Sequence, residues 1–282
     1  MPIIILMLDK LIYCFFSLFS LHPQSYSRIL RSFYYVKMIK RTLKSMDFDR
    51  VVFEHNHLLL LSLKNKKLYS KYKDKYIIHI HNKVKTIKMV KPLISKCKHI
   101  FTVSEYMKKY LSEEKTLKIP SDSISVFYNC IEGDVFRVLD REKAKEILDL
   151  DLKNKKVLLF TGRINKEKGI EEVVTAFRRL DHNKYVLVVV GDSFYTSKSR
   201  DKYLDDFNTR ISDLVDSNNI LFTGYIDREQ MPLVYNIADI VILPSMWDEP
   251  AGLTMLEAAF CEKNLLPQIV VASRNMWGIV LS

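Results

Sequence analysis

Short apolar runs recur along the chain between stretches with helical spacing, and that alternation predicts an α/β fold built on parallel strands. In the amino-terminal half, FDRVVFEHN, KYIIHIHN and KHIFTVS read as three strands with polar ends. Helical patterns around Val84–Cys97 and Glu105–Leu111 alternate with them. Further on, KVLLFTG is a brief apolar run closed by Gly162, as expected of a strand buried on both faces. The following KGIEEVVTAFRRL spaces Ile170, Val173, Val174, Phe177 and Leu180 along one helix face. YVLVVV ends at Gly191-Asp192 and NILF at Gly224-Tyr225, marking two more strand ends. ADIVILPS stops at Pro244-Ser245 and leads through a loop with Glu249, Pro250 and Gly252 into the helical pattern LTMLEAAF. At the start, IIILML reads as a strand. Leu11–Leu21 is apolar but too short to span a bilayer, and Asp9 and Lys10 precede it, so it reads as a buried or interfacial helix rather than a signal peptide.

Candidate chemistry gathers at these strand ends. Pro250 and Gly252 keep their loop out of helix, and the helix after it offers backbone N–H groups at its positive end, a seat for an anion. Glu249 lies in the loop and Glu257 about two turns further on, so both carboxylates can face one ligand, one end each. A ligand with hydroxyl-rich ends and an anionic middle suits that pair, and a nucleotide sugar is such a ligand. Arg163 and Lys168 emerge at the carboxyl end of KVLLFTG, where open α/β sheets bind ligands. Fixed cations there can stabilise a leaving diphosphate without a metal. The competing reading makes all four residues solvated surface charges, as Lys166 is expected to be.

The stretch DEPAGLTMLEAA resembles the E-x7-E signature of the retaining, two-domain glycosyltransferases of family four, whose usual form is EPFGLxxLEAMAxGxPV. FTGRINKEKGI, VVVGD and NNILFTGYIDREQMPLVYNIADIVILPS extend the resemblance upstream in the right order, over about residues 97–262. It implies a GT-B architecture, two Rossmann-like domains facing a cleft, and transfer of a sugar from a nucleotide-sugar donor to an acceptor hydroxyl with retention and without metal or other cofactor. Carried over, Glu249 binds hydroxyls of the donor sugar and Glu257 the ribose, while Gly162, Arg163 and Lys168 meet the diphosphate. Gly224, Tyr225, Gly252 and Leu253 complete the nucleotide contacts, mostly through backbone. The family often carries a His at the end of the strand equivalent to YIIHIH, contacting the transferring sugar. His81 is the first choice and His55 the second, with a satisfied core or surface histidine as the competing reading.

Departures from the family pattern matter as much. No glycine precedes Gly133, so the Gly-rich first loop that meets acceptor and donor phosphate is missing. After Glu257 the expected Gly-x-Pro turn, strand and GG-x-x-E loop are replaced by CEKNLLPQIVVASRNMWGIVLS. Synonymous codons can be chosen for Leu265–Ser282 that, read two bases later, give ITTNSGGIPEYVGDCAI, which carries that GG and Glu. A frameshift near Asn264 is therefore expected. The domains read as 1–135 on the acceptor side, 136–264 as an incomplete nucleotide-sugar-binding domain, and 265–282 as an out-of-frame tail. The missing strands should leave Asp239–Ser245 with an exposed apolar edge, prone to recruit other chains.

Charge is divided unequally. Residues 1–100 hold 20 Lys/Arg against 5 Asp/Glu, and the remainder 24 against 28. RSFYYVKMIKRTLK and LKNKKLYSKYKDKY mix the cations with aromatic and apolar residues, suiting an anionic bilayer surface. Nucleic acid would attract the same charges, but a membrane surface fits better beside transfer to a glycan or lipid-linked acceptor, and no nucleic-acid partner is expected. Four scattered cysteines, Cys14, Cys97, Cys130 and Cys261, show no ligand or disulfide spacing and fit a reducing cytoplasm, with peripheral contact at the inner face of the plasma membrane. No GxGxxG follows a strand, and no HExxH or GxSxG occurs, so dinucleotide, zinc-hydrolase and serine-hydrolase readings lose their support. The expected role is surface polysaccharide or lipopolysaccharide synthesis. The alternatives are an inactive, truncated remnant of such an enzyme and a basic membrane- or nucleic-acid-binding protein on the same scaffold.

Overall fold

A computed structural model describes residues 23–54, 56–83, 88–114, 117, 119–152, 154–191, 202–246 and 250–267. IIILML, Leu11–Leu21, Cys14, His55, Asp192, Glu249 and residues 268–282 lie outside them. The chain divides into two units, Met1–Tyr128 and Asn129–Ser282.

In the first unit the three expected strands are joined by a fourth. The sheet is wholly parallel, ordered β1 (Val51–Glu54), β2 (Tyr76–Ile80), β3 (Ile100–Thr102), β4 (Ile124–Val126). β4 lies in the SISVFYN segment, and the Phe127 N–H donates to Thr102 O at 2.7 Å just beyond it. A long helix α1 (Pro23–Ser45) buries Ser32, Val36 and Leu43 and packs on a 3-10 helix (His57–Lys64) that buries Leu60, Leu61 and Leu63. The continuous run HLLLLSLK has no helical period, because it is buried on more than one side. Within LKNKKLYSKYKDKY, helix α2 (Lys66–Tyr72) turns one cation inward: Lys71 Nζ and the Tyr72 hydroxyl each donate to Leu43 O and Met46 O. These bonds close the last carbonyls of α1, so part of that basic stretch does structural work rather than facing outward.

Of the helix expected around Val84–Cys97, residues 84–87 lie outside the described residues. Described helix there is confined to α3 (Lys91–Ser95), with Pro92 in its first turn, where a missing N–H costs nothing. Helix α4 (Glu105–Glu113) begins at Ser104, whose hydroxyl accepts from the Met107 N–H at 3.2 Å.

The second unit is doubly wound. Its parallel sheet runs β7 (Ile220–Gly224), β6 (Tyr185–Val190), β5 (Lys156–Thr161), β8 (Ile240–Leu243), β9 (Asn264–Pro267). Alternation along β5 sends Val157 and Leu159 to one face and Leu158 and Phe160 to the other. The first face is covered by α5 (Arg141–Leu148), α8 (Met231–Ile237) and α9 (Leu253–Phe260), through Ala144, Val234 and Ala258. The second is covered by α6 (Ile170–Phe177) and α7 (Lys202–Asp216), through Val173, Phe177, Phe207 and Ile211. Each such large apolar side chain contributes on the order of 2 kcal/mol by burial. The expected stripe ends one turn early, since Leu180 lies beyond α6 and is exposed. Cys261 is buried in the first core.

The expectation of an open β8 edge is overturned. Asn264–Pro267 pairs with Ile240–Leu243 as the parallel strand β9, so the apolar β8 is flanked on both sides. Asn264 and Leu265–Pro267 are extended and apolar enough to take a strand's place without the expected Gly-x-Pro turn.

Candidate active site

Strand order alone points to one place in the second unit. From β5 the chain winds outward through β6 and β7, then crosses back to lay β8 on the other side of β5. The carboxyl ends of β5 and β8 therefore flank the point where the winding reverses, and α/β sheets open a ligand crevice there.

Close backbone contacts fix the loops around that point. The Gly162 N–H donates to Val190 O at 3.0 Å, and the Gly191 N–H to Gly224 O at 2.9 Å, joining the ends of β5, β6 and β7. Gly191 has φ +135°, and a Cβ there would collide with the Gly162 carbonyl oxygen. Gly169 has φ +74°, and its Cβ would lie 2.5 Å from Pro244 O, just past the end of β8. The Met246 N–H donates to Glu167 O at 2.8 Å. The turn that carries Arg163 and Lys168 is thus fastened to the loop leading towards Glu249.

That turn is self-organised. Asn165 accepts from the Lys168 N–H through its side chain at 3.0 Å, nucleating a 3-10 turn over Lys166–Lys168. Gly162 has φ +143°, a backbone that other residues rarely adopt, and the Lys168 stem lies 3.9 Å from where its Cβ would stand, an ordinary contact. Arg163 Nη2 is 3.9 Å from Glu167 Oε2. Lys166, expected to be merely solvated, holds its ammonium 5.8 Å from the Tyr203 ring centroid.

Across the switch point, α9 follows Gly252 with no side-chain cap, and backbone carbonyls take up its first N–H groups, Leu253 donating to Ala251 O at 3.1 Å and Met255 to Gly252 O at 3.0 Å. Leu253 opens the helix and is exposed, and Glu257 is half-buried in the second turn. Glu257 is held from beneath: the Tyr235 hydroxyl of α8 donates to its Oε2 at 2.7 Å. Tyr235 is fully buried, with its ring 6.1 Å from that of Phe136, and burial together with the Glu257 carboxylate pushes its phenol well above the ordinary range. The sequence reading missed Tyr235. The signal was there: a tyrosine on the buried face of VYNIAD needs a partner for its hydroxyl. Gly224 keeps φ +71° and Tyr225 beside it is 73% exposed, available to a ligand rather than to the core.

In the first unit, His81 lies just past β2 and meets Glu54 and His79. Its Nε2 is 3.1 Å from Glu54 Oε2, and His79 Nδ1 is 3.1 Å from the same oxygen. Burial, and then the neighbouring His81, lower the His79 pKa despite Glu54.

The profile described as Glycosyltransferase Family 4 matches residues 13–134, and that described as Glycosyl transferases group 1 matches residues 140–273. The chain is 26% identical over 227 residues to the lipopolysaccharide 1,2-N-acetylglucosaminetransferase of Salmonella typhimurium, covering 77% of this chain and 54% of that protein. It is 22% identical over 194 residues to the alpha-galactosylglucosyldiacylglycerol synthase of Streptococcus pneumoniae, covering 68% and 46%. The chain thus spans about half the length of the curated relatives it matches. Among solved structures, Anabaena HepE in complex with UDP-glucose superposes with a TM-score of 0.68 at 16% identity, over 86% of this chain and 65% of that one. Two profiles that leave only the chain ends and a short connector uncovered, and a shared doubly wound fold, agree: the chain belongs to the family-four glycosyltransferases of GT-B fold.

Proposed function

We propose that this chain moves a sugar from a nucleotide-sugar donor to an acceptor hydroxyl, with retention, in lipopolysaccharide or surface polysaccharide synthesis. One observation carries the reading: a cationic turn, the start of α9 and a buttressed carboxylate converge on the switch point of the second sheet. Arg163 and Lys168 hold the diphosphate as the bond between the anomeric carbon and its oxygen breaks, and their fixed charge stabilises the leaving anion. Glu257 takes the ribose hydroxyls and Glu249 those of the sugar, while the backbone at Gly224, Tyr225, Gly252 and Leu253 borders the nucleotide. His81, in the first unit, is assigned to the transferring sugar. The bound UDP-glucose of the Anabaena neighbour makes that donor the first to try, and the Salmonella relative makes a lipopolysaccharide acceptor the natural partner.

The membrane contact is assigned to α1, whose exposed residues Phe33, Lys37, Arg41 and Lys44 recur at helical spacing beside the buried stripe of Val36 and Leu43. Among the described residues no helix is long and apolar enough to cross a membrane. The acceptor-side domain is placed at 1–135, the donor domain at 136–264, and 265–282 is read as translated out of frame. Resequencing the gene checks that frame.

A split in kinetics tests the reaction. Glu257→Gln should weaken donor binding by about 1–3 kcal/mol, as for a hydrogen bond to a charged group. Glu249→Gln should lower turnover more than donor affinity, since the sugar is held hardest while its bond breaks. Equal losses of donor affinity with turnover intact would overturn these roles.

A further inference from the structure

We propose that Glu54, His79 and His81 form a three-ligand site for a divalent transition-metal ion at the carboxyl end of the first sheet. Glu54 closes β1 directly beside His79 of β2 in the parallel register, and His81 follows two residues on, so all three share one face. Their ligand atoms form a nearly equilateral triangle. His79 Nδ1 and His81 Nε2 are each 3.1 Å from Glu54 Oε2 and 3.2 Å from one another.

With Glu54 ionised, protons cannot satisfy that triangle. A carboxylate only accepts, so both imidazoles would have to present an N–H to Glu54, and the two N–H groups would then face each other across 3.2 Å. Moving either proton to the far nitrogen mends the contact between the rings but sets a lone pair against the carboxylate. A cation meets all three lone pairs at once. Ligand atoms about 2.0–2.2 Å from an ion stand about 3.0 Å apart at right angles and about 3.4 Å apart at tetrahedral ones, and the three observed edges fall between these limits.

The surroundings suit an open site rather than a closed structural one. His79 is buried, with the Phe101 and Phe127 rings edge-on at 6.4 and 5.8 Å fixing its plane. Glu54 is 61% exposed and His81 36%, so the ion's remaining positions face outward. Two imidazoles and one carboxylate with open positions suit iron(II), zinc, cobalt or nickel, whereas magnesium and calcium prefer oxygen alone. This inference goes beyond sugar transfer; a bound ion and the sugar hydroxyl would compete for His81 Nε2, so metal binding is measured without donor or acceptor.

The experiment is titration of the full, chelator-treated chain with cobalt(II) and zinc chloride, followed by cobalt absorption and calorimetry. One cobalt or zinc ion per chain is expected, with no heat from magnesium. Because loss of an outer partner already weakens metal sites about 10–100-fold, His79→Ala should lose about 100-fold or more. Glu54→Gln changes an exposed side chain, preserves the fold and should weaken binding at least tenfold. No stoichiometric binding by the wild type, binding undiminished in Glu54→Gln, or equal binding of magnesium would each overturn the proposal.

Discussion

Replacing Tyr235 by Phe removes a single oxygen and leaves the ring packed against Phe136, so its effect isolates the hydroxyl that meets Glu257. A hydrogen bond to a charged group contributes about 1.5–3 kcal/mol, and an abandoned carboxylate recovers part of that from water where water can reach. Glu257 is half-buried, so the expected loss of stability is about 1–2 kcal/mol, or about 2–8 °C in melting temperature for a unit of this size. The second consequence distinguishes positioning from mere stability. Without the hydroxyl, Glu257 samples other rotamers and must be reordered by the nucleotide, which should raise the nucleoside diphosphate Kd about 5–10-fold. Urea unfolding and calorimetric titration measure the two effects, and a double-mutant cycle with Glu257→Gln should show them coupled. A Tyr235→Phe protein of lower stability but unchanged nucleotide affinity would refute the claim that this hydroxyl orients Glu257.

Asp239 ties α5 to β5 and β8, accepting from both Arg141 guanidinium nitrogens, from Lys156 and from the Val157 N–H. Burial alone would raise its pKa, but Arg141, the Val157 N–H and Lys156 outweigh it and hold the carboxylate below the usual range. A depressed folded pKa contributes stability that is full above the unfolded value of about 4 and fades as pH falls further. Asp239→Asn should therefore lose about 2–4 kcal/mol in urea at pH 7, and the gap from wild type should narrow below about pH 4; a gap independent of pH would contradict this. On α1, each cation near an anionic bilayer contributes about 1 kcal/mol. Lys37→Ala/Arg41→Ala/Lys44→Ala should bind phosphatidylserine vesicles about 100-fold more weakly at low salt, and co-sedimentation equal to wild type would place the membrane contact elsewhere.

The second unit was the more legible in sequence because β5 and β6 are buried on both faces and, like β7, end at glycines. KVLLFT, YVLVVV and IVIL needed no partner to be recognised, and Gly162, Gly191 and Gly224 marked the loops that the backbone then joins. The expected start of the signature helix after Gly252 matches α9. Two things were less legible. NLLP looked like the beginning of a foreign tail, yet any short extended apolar run can complete a parallel ladder beside an apolar strand, and it became β9. Tyr235 and the convergence of Glu54 with two histidines depend on contacts between residues distant in sequence. A periodicity argument does not reach such contacts. The basic amino-terminal stretches misled in part, because Lys71 is drawn to the carbonyls closing α1, an attraction that charge counting does not see.

The most direct test of the central claim is the thermal shift of the full chain with a nucleoside diphosphate. A ligand that binds only the folded form adds about 2.7 kcal/mol at a concentration of 100 times Kd. Wild type should therefore melt several degrees higher with UDP or another nucleoside diphosphate, and Arg163→Ala/Lys168→Ala should lose that shift while keeping its unliganded melting temperature. An undiminished shift in the double variant would contradict the assignment of the diphosphate to the turn between β5 and α6.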